Sequence, residues 1–181
     1  KTDVPAEFEL PLIQKNGQIR EVIACVRLIP GTQRGIVSLI DMSEKRRSEQ
    51  ERRRLAAVIE QTGEAVFITD ARGDIQYVNP SFEKVTGYSR EEAVGQKPSL
   101  LKSGKHDTAF YAALWATITG GTVWKGRIVN RKKDGTLYEE EATITPIRDH
   151  TGRMVSYVAV KRDVTREVTL TKQLRQAQKM E

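Results

Sequence analysis

The sequence predicts an α+β fold in which a five-stranded antiparallel sheet carries helices on one face and has a helix at each end. Between residues 55 and 165 the patterns run strand, strand, helix, helix, loop, helix, strand, strand, strand. Turns that contain glycine separate neighbouring strand patterns, as in antiparallel hairpins. Capping residues mark the helices between the second and third strands. Helices inserted there pack on one face of the sheet and leave a cleft that suits a small molecule.

The first half of this region reads as two short strands and two capped helices. Residues 65–70 and 75–79 have strand patterns and are separated by an Arg-Gly-Asp turn. Asn79 is a preferred N-cap, and the proline after it suits the first helical position, so a helix should begin there. Gly87 is expected to end that helix in the left-handed conformation. Ser89, with a glutamate three residues later, predicts a second, short helix with a capping box.

The second half reads as one longer helix followed by three strands. Residues 96–107 contain a proline and a glycine and are expected to be irregular, whereas residues 108–119 form a helix closed by a Gly-Gly pair. The strands are expected at residues 124–131, 137–147 and 154–162. Glu139, Glu140 and Glu141 are expected to alternate across an exposed strand as surface charge.

An internal repeat indicates a second, partial unit at the N-terminus. Residues 15–19 align with residues 133–137, and both segments carry an Asx-Gly turn. Downstream, Asp41 aligns with Asp163 at the end of the third strand of each copy. The repeat predicts four segments: the C-terminal part of a preceding domain at 1–42, a linker helix at 43–60, a complete domain at 61–165, and a C-terminal signalling helix at 166–181.

Composition and charge exclude several classes of protein. A 38% hydrophobic and 30% charged composition supplies a core and excludes a disordered tail. No apolar run approaches the ~20 residues that span a bilayer, so membrane insertion is not expected. Residues 43–55 supply three of the six net positive charges, with acidic residues interleaved, which favours an exposed helix over a nucleic-acid-binding surface. A single cysteine, Cys25, favours the reducing cytoplasm.

No pattern of catalytic or metal-binding residues emerges. His106 and His150 are the only histidines, and neither has a cysteine or second histidine at metal-ligand spacing. The glycines follow neither the phosphate-binding nor the dinucleotide-binding pattern. The segment is therefore expected to bind and transmit without catalytic residues, a metal or enzymatic activity of its own.

Several motifs together resemble those of PAS sensory domains. Residues 79–82 (Asn-Pro-Ser-Phe), followed by residues 86–92 (Thr-Gly-Tyr-Ser-Arg-Glu-Glu), look like the PAS signature. Residues 163–165 (Asp-Val-Thr) look like the PAS exit motif, as do residues 41–43 (Asp-Met-Ser) in the partial copy. The resemblance covers residues 55–165 well and implies the PAS fold and a role in signal transduction.

The C-terminal segment is similar to the one that leads into the dimerisation helix of bacterial sensor histidine kinases. Leu170, Leu174 and Ala177 are spaced i, i+4 and i+7, and this apolar seam can pair with a second copy. The resemblance implies a homodimer formed through the flanking helices. It also implies a phosphorelay in which histidine kinase domains lie downstream in the parent chain.

The resemblance also bears on cofactors. PAS domains of the light-oxygen-voltage branch carry a cysteine in a Gly-x-Asn-Cys motif that forms an adduct with flavin. Residues 95–98 here are Gly-Gln-Lys-Pro, so Pro98 replaces that cysteine and excludes the photochemistry. Haem PAS domains carry a histidine on the long helix, which has none here. His106 precedes that helix and is followed by Asp, a pattern typical of a helix N-terminus, so haem is not expected.

Residues 114–115, 123–126 and 129–138 resemble FAD-binding PAS domains of nitrogen-fixation redox regulators and aerotaxis receptors. FAD is therefore one interpretation of the cleft, and an empty or small-ligand pocket with ordinary core tryptophans is the other. The binding candidates are Trp115, Trp124, Ile128, Asn130, Phe82 and Leu114.

Strand alternation places Trp124, Gly126, Ile128 and Asn130 on one face. If that face is the inner one, Trp124 is expected to lie against a bound ring and Gly126 to let the ring approach. Asn130 is expected to hydrogen-bond the polar edge of the ligand.

Signal transmission is assigned to Asp163, Thr165 and Asp41. Both aspartates lie where a last strand passes into a helix, so each is expected to be the N-cap of that helix. Asp41 has Glu44 three residues later, which predicts a capping box.

The sequence thus predicts the sensory module of a two-component sensor histidine kinase. A small ligand or a redox change in the cleft would be relayed through the exit helix. The alternatives are an FAD-containing redox sensor and a PAS dimerisation module of a non-kinase protein, such as one in cyclic-dinucleotide signalling.

Overall fold

The computed structural model describes residues 6–179, which divide between Ala57 and Val58 into two compact units. Residues 1–5 of the predicted partial domain and residues 180–181 of the predicted C-terminal helix lie outside the described residues. Across residues 6–179, no helix combines the length and the apolar character needed to cross a membrane.

Within residues 6–57 the chain forms a three-stranded antiparallel sheet with β2 at its centre. The strands β1 to β3 and the helix α1 that follows them are Ala6–Ile13, Ile19–Leu28, Gly35–Asp41 and Ser43–Gln61. Paired residues of neighbouring strands share a face, and Ala24 pairs with Phe8 on one side and Leu39 on the other. Ala24 is buried between them, whereas Phe8 and Leu39 are more than half exposed. The unit therefore presents an apolar sheet face to solvent.

The second unit contains the predicted five-stranded antiparallel sheet, in the order β5-β4-β8-β7-β6 within the described residues. Its strands β4 to β8 are Ala65–Asp70, Ile75–Val78, Trp124–Arg131, Leu137–Arg148 and Met154–Asp163. Its helices α2 to α5 are Pro80–Thr86, Arg90–Ala93, Thr108–Thr119 and Thr165–Gln178. The α+β prediction is confirmed. Residues 96–107, predicted to be irregular, contain a short 3-10 helix at Pro98–Leu101.

The helix caps predicted between β5 and α4 are present. Asn79 Oδ1 accepts from the Phe82 N–H at 2.9 Å at the start of α2. Gly87 ends α2 with a φ of 78°, where a side chain would be strained. Ser89 and Glu92 form the reciprocal bonds of a capping box at α3. These caps depend on residues at most a few positions apart, which is why the sequence alone predicts them.

The register of β7 overturns one expectation. Glu139, Glu140 and Glu141 do alternate, but Glu140 is only 2% exposed because β7 lies between β6 and β8 and its inner face is covered. Tyr138 and Ala142, on the same face, are buried as well. Glu140 is therefore a core residue and not surface charge.

The capping role predicted for the two aspartates also needs correction. The N-cap position of α5 is Val164, and Asp163 precedes it; the Asp163 carboxylate accepts from the Thr165 N–H at 2.9 Å. Asp41 likewise accepts from the N–H of Ser43, the first residue of α1, at 2.9 Å. Each aspartate still pairs across its sheet, so its backbone belongs to the strand. Within the described part of the chain, Glu44 makes no return bond to Asp41, so the predicted capping box is wrong.

Candidate functional site

A cavity of about 80 Å³ lies between α4 and the inner face of the second sheet. On α4, Leu114 and Ile118 are buried one turn apart and form one wall. The sheet supplies apolar side chains opposite them: Phe67, Ile128, Ile144 and Tyr157. Trp115 packs edge-on against Tyr157, with ring centroids 5.8 Å apart. The walls are therefore mostly apolar, as in small-molecule sites.

One end of the cavity is polar and contains a buried ion pair. Lys161 Nζ lies 2.5 Å from Glu140 Oε1, and the two side chains are 6% and 2% exposed. Asn130 Nδ2 donates to the same oxygen at 2.8 Å. Asn130 and Lys161 line the cavity, and Glu140 lies behind them. Buried charges persist when they are paired and hydrogen-bonded, and the Glu140 carboxylate accepts from both Lys161 and Asn130.

Two tyrosine hydroxyls lie close to this ion pair. Tyr111 Oη and Tyr138 Oη are buried and have no hydrogen-bond partner among the described residues. Burial, together with the nearby Glu140 charge, raises the pKa of both tyrosines, since a phenolate is disfavoured in an apolar, negatively charged setting. Tyr111 also lines the cavity, so its neutral hydroxyl is available as a donor there.

Four of the six predicted binding residues line this cavity: Trp115, Ile128, Asn130 and Leu114. Phe82 does not; it is fully buried in the core and packs edge-on against Phe67, with centroids 6.0 Å apart. Trp124 does not line the cavity either, because it packs against Phe110 in the same edge-on manner at 5.9 Å.

The role predicted for Gly126 is also different in the structure. A Cβ placed on Gly126 would lie 2.7 Å from the six-membered ring of Trp124. The open space at Gly126 is therefore taken by the Trp124 indole of the same strand. Alternation along β6 predicts that Trp124 and Gly126 share a face but does not reveal that the Trp124 side chain folds onto the glycine.

Sequence reasoning missed Lys161, Glu140 and Tyr111. The sequence did contain a signal for Lys161 and Glu140, because each alternates with residues that face the core. Lys161, for example, lies two residues after Ala159 and four after Tyr157, and side chains two apart on a strand share a face. A lysine and a glutamate of inward parity on strands that pair are candidates for a buried ion pair. Lys161 and Glu140 are not directly opposite each other, because Lys161 pairs with Ala142 and Glu140 pairs with Asp163. Their contact therefore depends on the direction in which the two side chains extend.

Pro98 and His106, the residues that bear on light-sensing and haem chemistry, have defined surroundings in the structure. Pro98, which replaces the adduct-forming cysteine, lies in the cavity wall, and Cys25 belongs to the other unit. His106 Nε2 accepts from the Val129 N–H at 2.9 Å, so that nitrogen is occupied. The cap of α4 is Asp107, whose carboxylate accepts from the Phe110 N–H at 2.8 Å. Within residues 6–179 no cluster of three or more His, Cys, Asp or Glu side chains is arranged to hold a metal.

A flavin does not fit the cavity in this arrangement. Cavities that enclose ligands of drug size measure about 300–1,000 Å³, and the three fused rings of a flavin belong to that size class. The cavity here is about 80 Å³, and the Trp124 ring covers the strand where a flavin was expected to approach. Binding a flavin would require α4 or Trp124 to move.

The exit from the domain is bonded to the strand that carries Glu140. The Glu139 N–H donates to Thr165 Oγ1 at 2.9 Å, and the Glu139 carbonyl accepts from the Val164 N–H at 2.9 Å. Thr165 Oγ1 is also 2.6 Å from Asp163 Oδ1, and Val164 is buried. Consecutive residues of β7 therefore contact the polar end of the cavity and the first turn of α5.

Comparison with known proteins gives one consistent family. The family model described as the PAS fold matches residues 53–164. The chain is 36% identical over 118 residues to the "Nitrogen fixation regulatory protein" of Klebsiella oxytoca, covering 65% of this chain and 24% of that protein. It is 36% identical over 115 residues to the "Hybrid signal transduction histidine kinase L" of Dictyostelium discoideum, covering 64% of this chain and 7% of that protein.

A crystal structure of the PAS domain of a Colwellia psychrerythraea protein matches with a TM-score of 0.58 and 29% identity. The match covers 64% of this chain and 98% of that one. The chain thus spans a quarter or less of the length of the two curated relatives but covers nearly all of an isolated PAS domain. Family model, relatives and fold agree, and the chain belongs to the PAS family of sensory signalling domains.

Proposed function

We propose that this PAS domain is the sensory input module of a two-component sensor histidine kinase. In this proposal a small molecule enters the cavity between α4 and the sheet, and its binding changes how α5 leaves the domain. The similarity to the Dictyostelium discoideum histidine kinase, at 36% identity, supports the kinase assignment. The similarity of the C-terminal segment to the entry of a kinase dimerisation helix supports it as well.

The observation that carries the proposal is the short path from cavity to exit helix. Lys161 lines the cavity and holds Glu140, and the neighbouring Glu139 is hydrogen-bonded through its backbone to Val164 and Thr165. A ligand that shifts the Lys161 ammonium also shifts Glu140 on β7. The adjacent residue, Glu139, is the one bonded to the start of α5. Packed cores move between discrete arrangements, so a small displacement there is passed on to the helix.

The proposed partner is a second copy of this chain, which pairs through α1 and α5. Leu170 and Leu174 are 50% and 66% exposed on α5, and Leu55 and Val58 are similarly exposed on α1. An isolated helix of the length of α5 is marginal in water, so pairing would stabilise it. Light scattering should give a dimer for the chain and a monomer for the double variant Leu170→Glu/Leu174→Glu. A wild-type monomer would overturn this part of the proposal.

The experiment uses the full-length protein that contains this chain and needs no ligand. Leu114→Phe fills the cavity from α4 at a cost of about 1–3 kcal/mol and thus imitates an occupied state. Ala113→Phe is the matched control, because Ala113 is the neighbouring residue on the exposed side of α4. We expect Leu114→Phe to change ATP-dependent histidine phosphorylation and Ala113→Phe to leave it unchanged. Absence of histidine phosphorylation in the wild type would overturn the kinase assignment, and equal activity of all three proteins would overturn the relay.

The second candidate is a flavin-dependent redox sensor, favoured by the sequence resemblance to FAD-binding PAS domains. The absorption spectrum of the purified protein discriminates the two. A bound flavin gives visible absorbance and requires the cavity to enlarge, whereas the first candidate predicts a colourless protein.

A further inference from the structure

The polar end of the cavity presents donors that have capacity left for a ligand. An ammonium has three N–H donors, and Lys161 uses one of them on Glu140. Asn130 uses one of its two amide N–H donors on the same carboxylate. The Tyr111 hydroxyl is buried and has no hydrogen-bond partner within residues 6–179. All three side chains line the cavity, so each can donate to an acceptor atom of a ligand at this end.

The charges around the cavity favour an anion. Among the described residues, its walls include two lysines, Lys102 and Lys161, and no carboxylate. Glu140 neutralises Lys161 from behind. Lys102 makes no salt bridge to another described residue and holds its ammonium 4.1 Å from the centroid of the Tyr111 ring. Lys102 is an exposed residue at the edge of the cavity, and its charge would attract a ligand of charge −1 to this end.

The volume limits the size of the ligand. An apolar cavity of roughly 150 Å³ holds benzene, which has six heavy atoms. At about 80 Å³ and similar packing, this cavity encloses about three to four heavy atoms. Bound ligands are typically about 70–90% buried, so a ligand of four or five heavy atoms suits this volume. Leu114 and Ile118 line the wall from α4 and would contact an apolar body.

We propose that the cavity binds a small organic monocarboxylate of the size of acetate or propionate. The carboxylate accepts from Lys161, Asn130 and Tyr111, and the short alkyl group packs against Leu114 and Ile118. In this complex the Lys161 ammonium lies between the carboxylate of the ligand and that of Glu140, and Glu140 keeps the ammonium in place. The proposal rests on the proposed function, in which this same cavity is the sensory site, and names the chemical class of its ligand.

The test is a titration of the chain with propionate, followed by amide NMR at constant ionic strength in chloride. Propionamide is the neutral molecule of matched shape. We expect saturable shifts at residues of β6 and β8 that flank the cavity, with propionamide binding at least about tenfold more weakly, the effect of losing a charge-assisted hydrogen bond.

Two variants locate the binding. Tyr111→Phe keeps the ring but removes the unpaired hydroxyl, and should weaken propionate binding about tenfold. Lys102→Gln removes an exposed charge beside the cavity and should weaken binding less, by about twofold to fivefold. Lys105→Gln is the control, because Lys105 is exposed nearby and does not line the cavity. Its propionate affinity should equal that of the wild type.

Equal binding of propionate and propionamide would overturn the monocarboxylate class while leaving a small-ligand cavity and the proposed function intact. No saturable shift with propionate, or equal weakening by Lys105→Gln and Lys102→Gln, would also overturn the proposal. The cavity-filling experiment on the full-length protein needs no ligand, so its outcome tests the sensory relay separately.

Discussion

Lys161 and Glu140 form an ion pair inside the PAS domain, with Nζ 2.5 Å from Oε1 and side chains that are 6% and 2% exposed. The next residue on each of the same two strands, Arg162 and Glu141, forms a pair on the opposite face at 2.9 Å, with 46% and 40% of each side chain exposed. The two pairs differ in burial but share strands and charges. They therefore allow the effect of burial to be measured within one protein.

Lys161→Met is expected to destabilise the domain by about 3–5 kcal/mol, because it leaves the Glu140 carboxylate buried without its partner. Arg162→Met, the matched control, should cost less than about 1 kcal/mol, since exposed pairs contribute little. Urea unfolding followed by circular dichroism measures both. The double variant Lys161→Met/Glu140→Leu should recover most of the loss, because it removes both charges. Equal costs for the two single variants would contradict the burial of this pair.

Asn79→Ala is expected to destabilise the domain by about 3–5 kcal/mol, since it leaves several buried groups unsatisfied. The fully buried Asn79 accepts from the N–H groups of Val66 and Phe82 and donates to the carbonyls of Ile59 and Glu64, all between 2.8 and 3.0 Å. Ser89→Ala removes an exposed cap and should cost only about 1 kcal/mol. Chemical denaturation compares them, and similar losses would show that Asn79 acts only as a local cap.

Asp163→Ala is expected to leave the domain folded and to fray the first turn of α5, at a cost of about 0.5–2 kcal/mol. The carboxylate holds both the N–H and the hydroxyl of Thr165. Hydrogen exchange should accelerate at the start of α5 and not in β7. Asp134→Ala removes a similar bond, in which the carboxylate accepts from the Thr136 N–H at 2.9 Å, in the turn between β6 and β7. That control should leave α5 unchanged.

In the full-length protein, Asp163→Ala should alter how strongly the output depends on the stimulus while leaving ligand affinity nearly unchanged. A response of wild-type amplitude would restrict Asp163 to a local structural role.

His106→Ala is expected to expose the Val129 amide on the edge strand β6, because the His106 Nε2 is its acceptor. Losing one such bond costs about 0.5–1.5 kcal/mol, so amide exchange at Val129 should accelerate by up to about tenfold. His150→Ala, in an exposed turn, is the control and should leave this amide unaffected. Unchanged exchange in His106→Ala would show that the bond is not maintained in solution.

Arg20→Gln is expected to raise the pKa of the Asp41 carboxyl towards its usual value. The hydrogen bond from Arg20, helped by Ser43, lowers that pKa to about 2. Because the folded pKa is depressed, the stabilising effect is present above the ordinary aspartate pKa and is lost as the pH falls through about 2. NMR of the Asp41 carboxyl carbon during an acid titration measures this pKa in the wild type and in the variant. Arg27→Gln, on the same strand but paired with Ile36, should not shift Asp41.

The sequence alone determined those features that depend on residues close together in the chain. The cap at Asn79, the left-handed Gly87 and the capping box at Ser89 each involve a few consecutive residues, and their backbone geometry follows from residue type. Alternation along a strand likewise predicted that Ile128 and Asn130 share one face, because successive side chains of a strand point to opposite faces; the structure shows that this face is the buried one.

Tertiary structure alone decided which inward residues meet and how much space they leave. Asn79 was predicted as a cap, but its bonds to Val66 and Ile59 require strands and helices to pack. Lys161 meets Glu140 across 21 positions of sequence. Whether Trp124 lines the cavity or covers Gly126 depends on the direction and packing of the Trp124 side chain. Such contacts depend on the simultaneous close packing of several elements, which local propensities and periodicity do not encode.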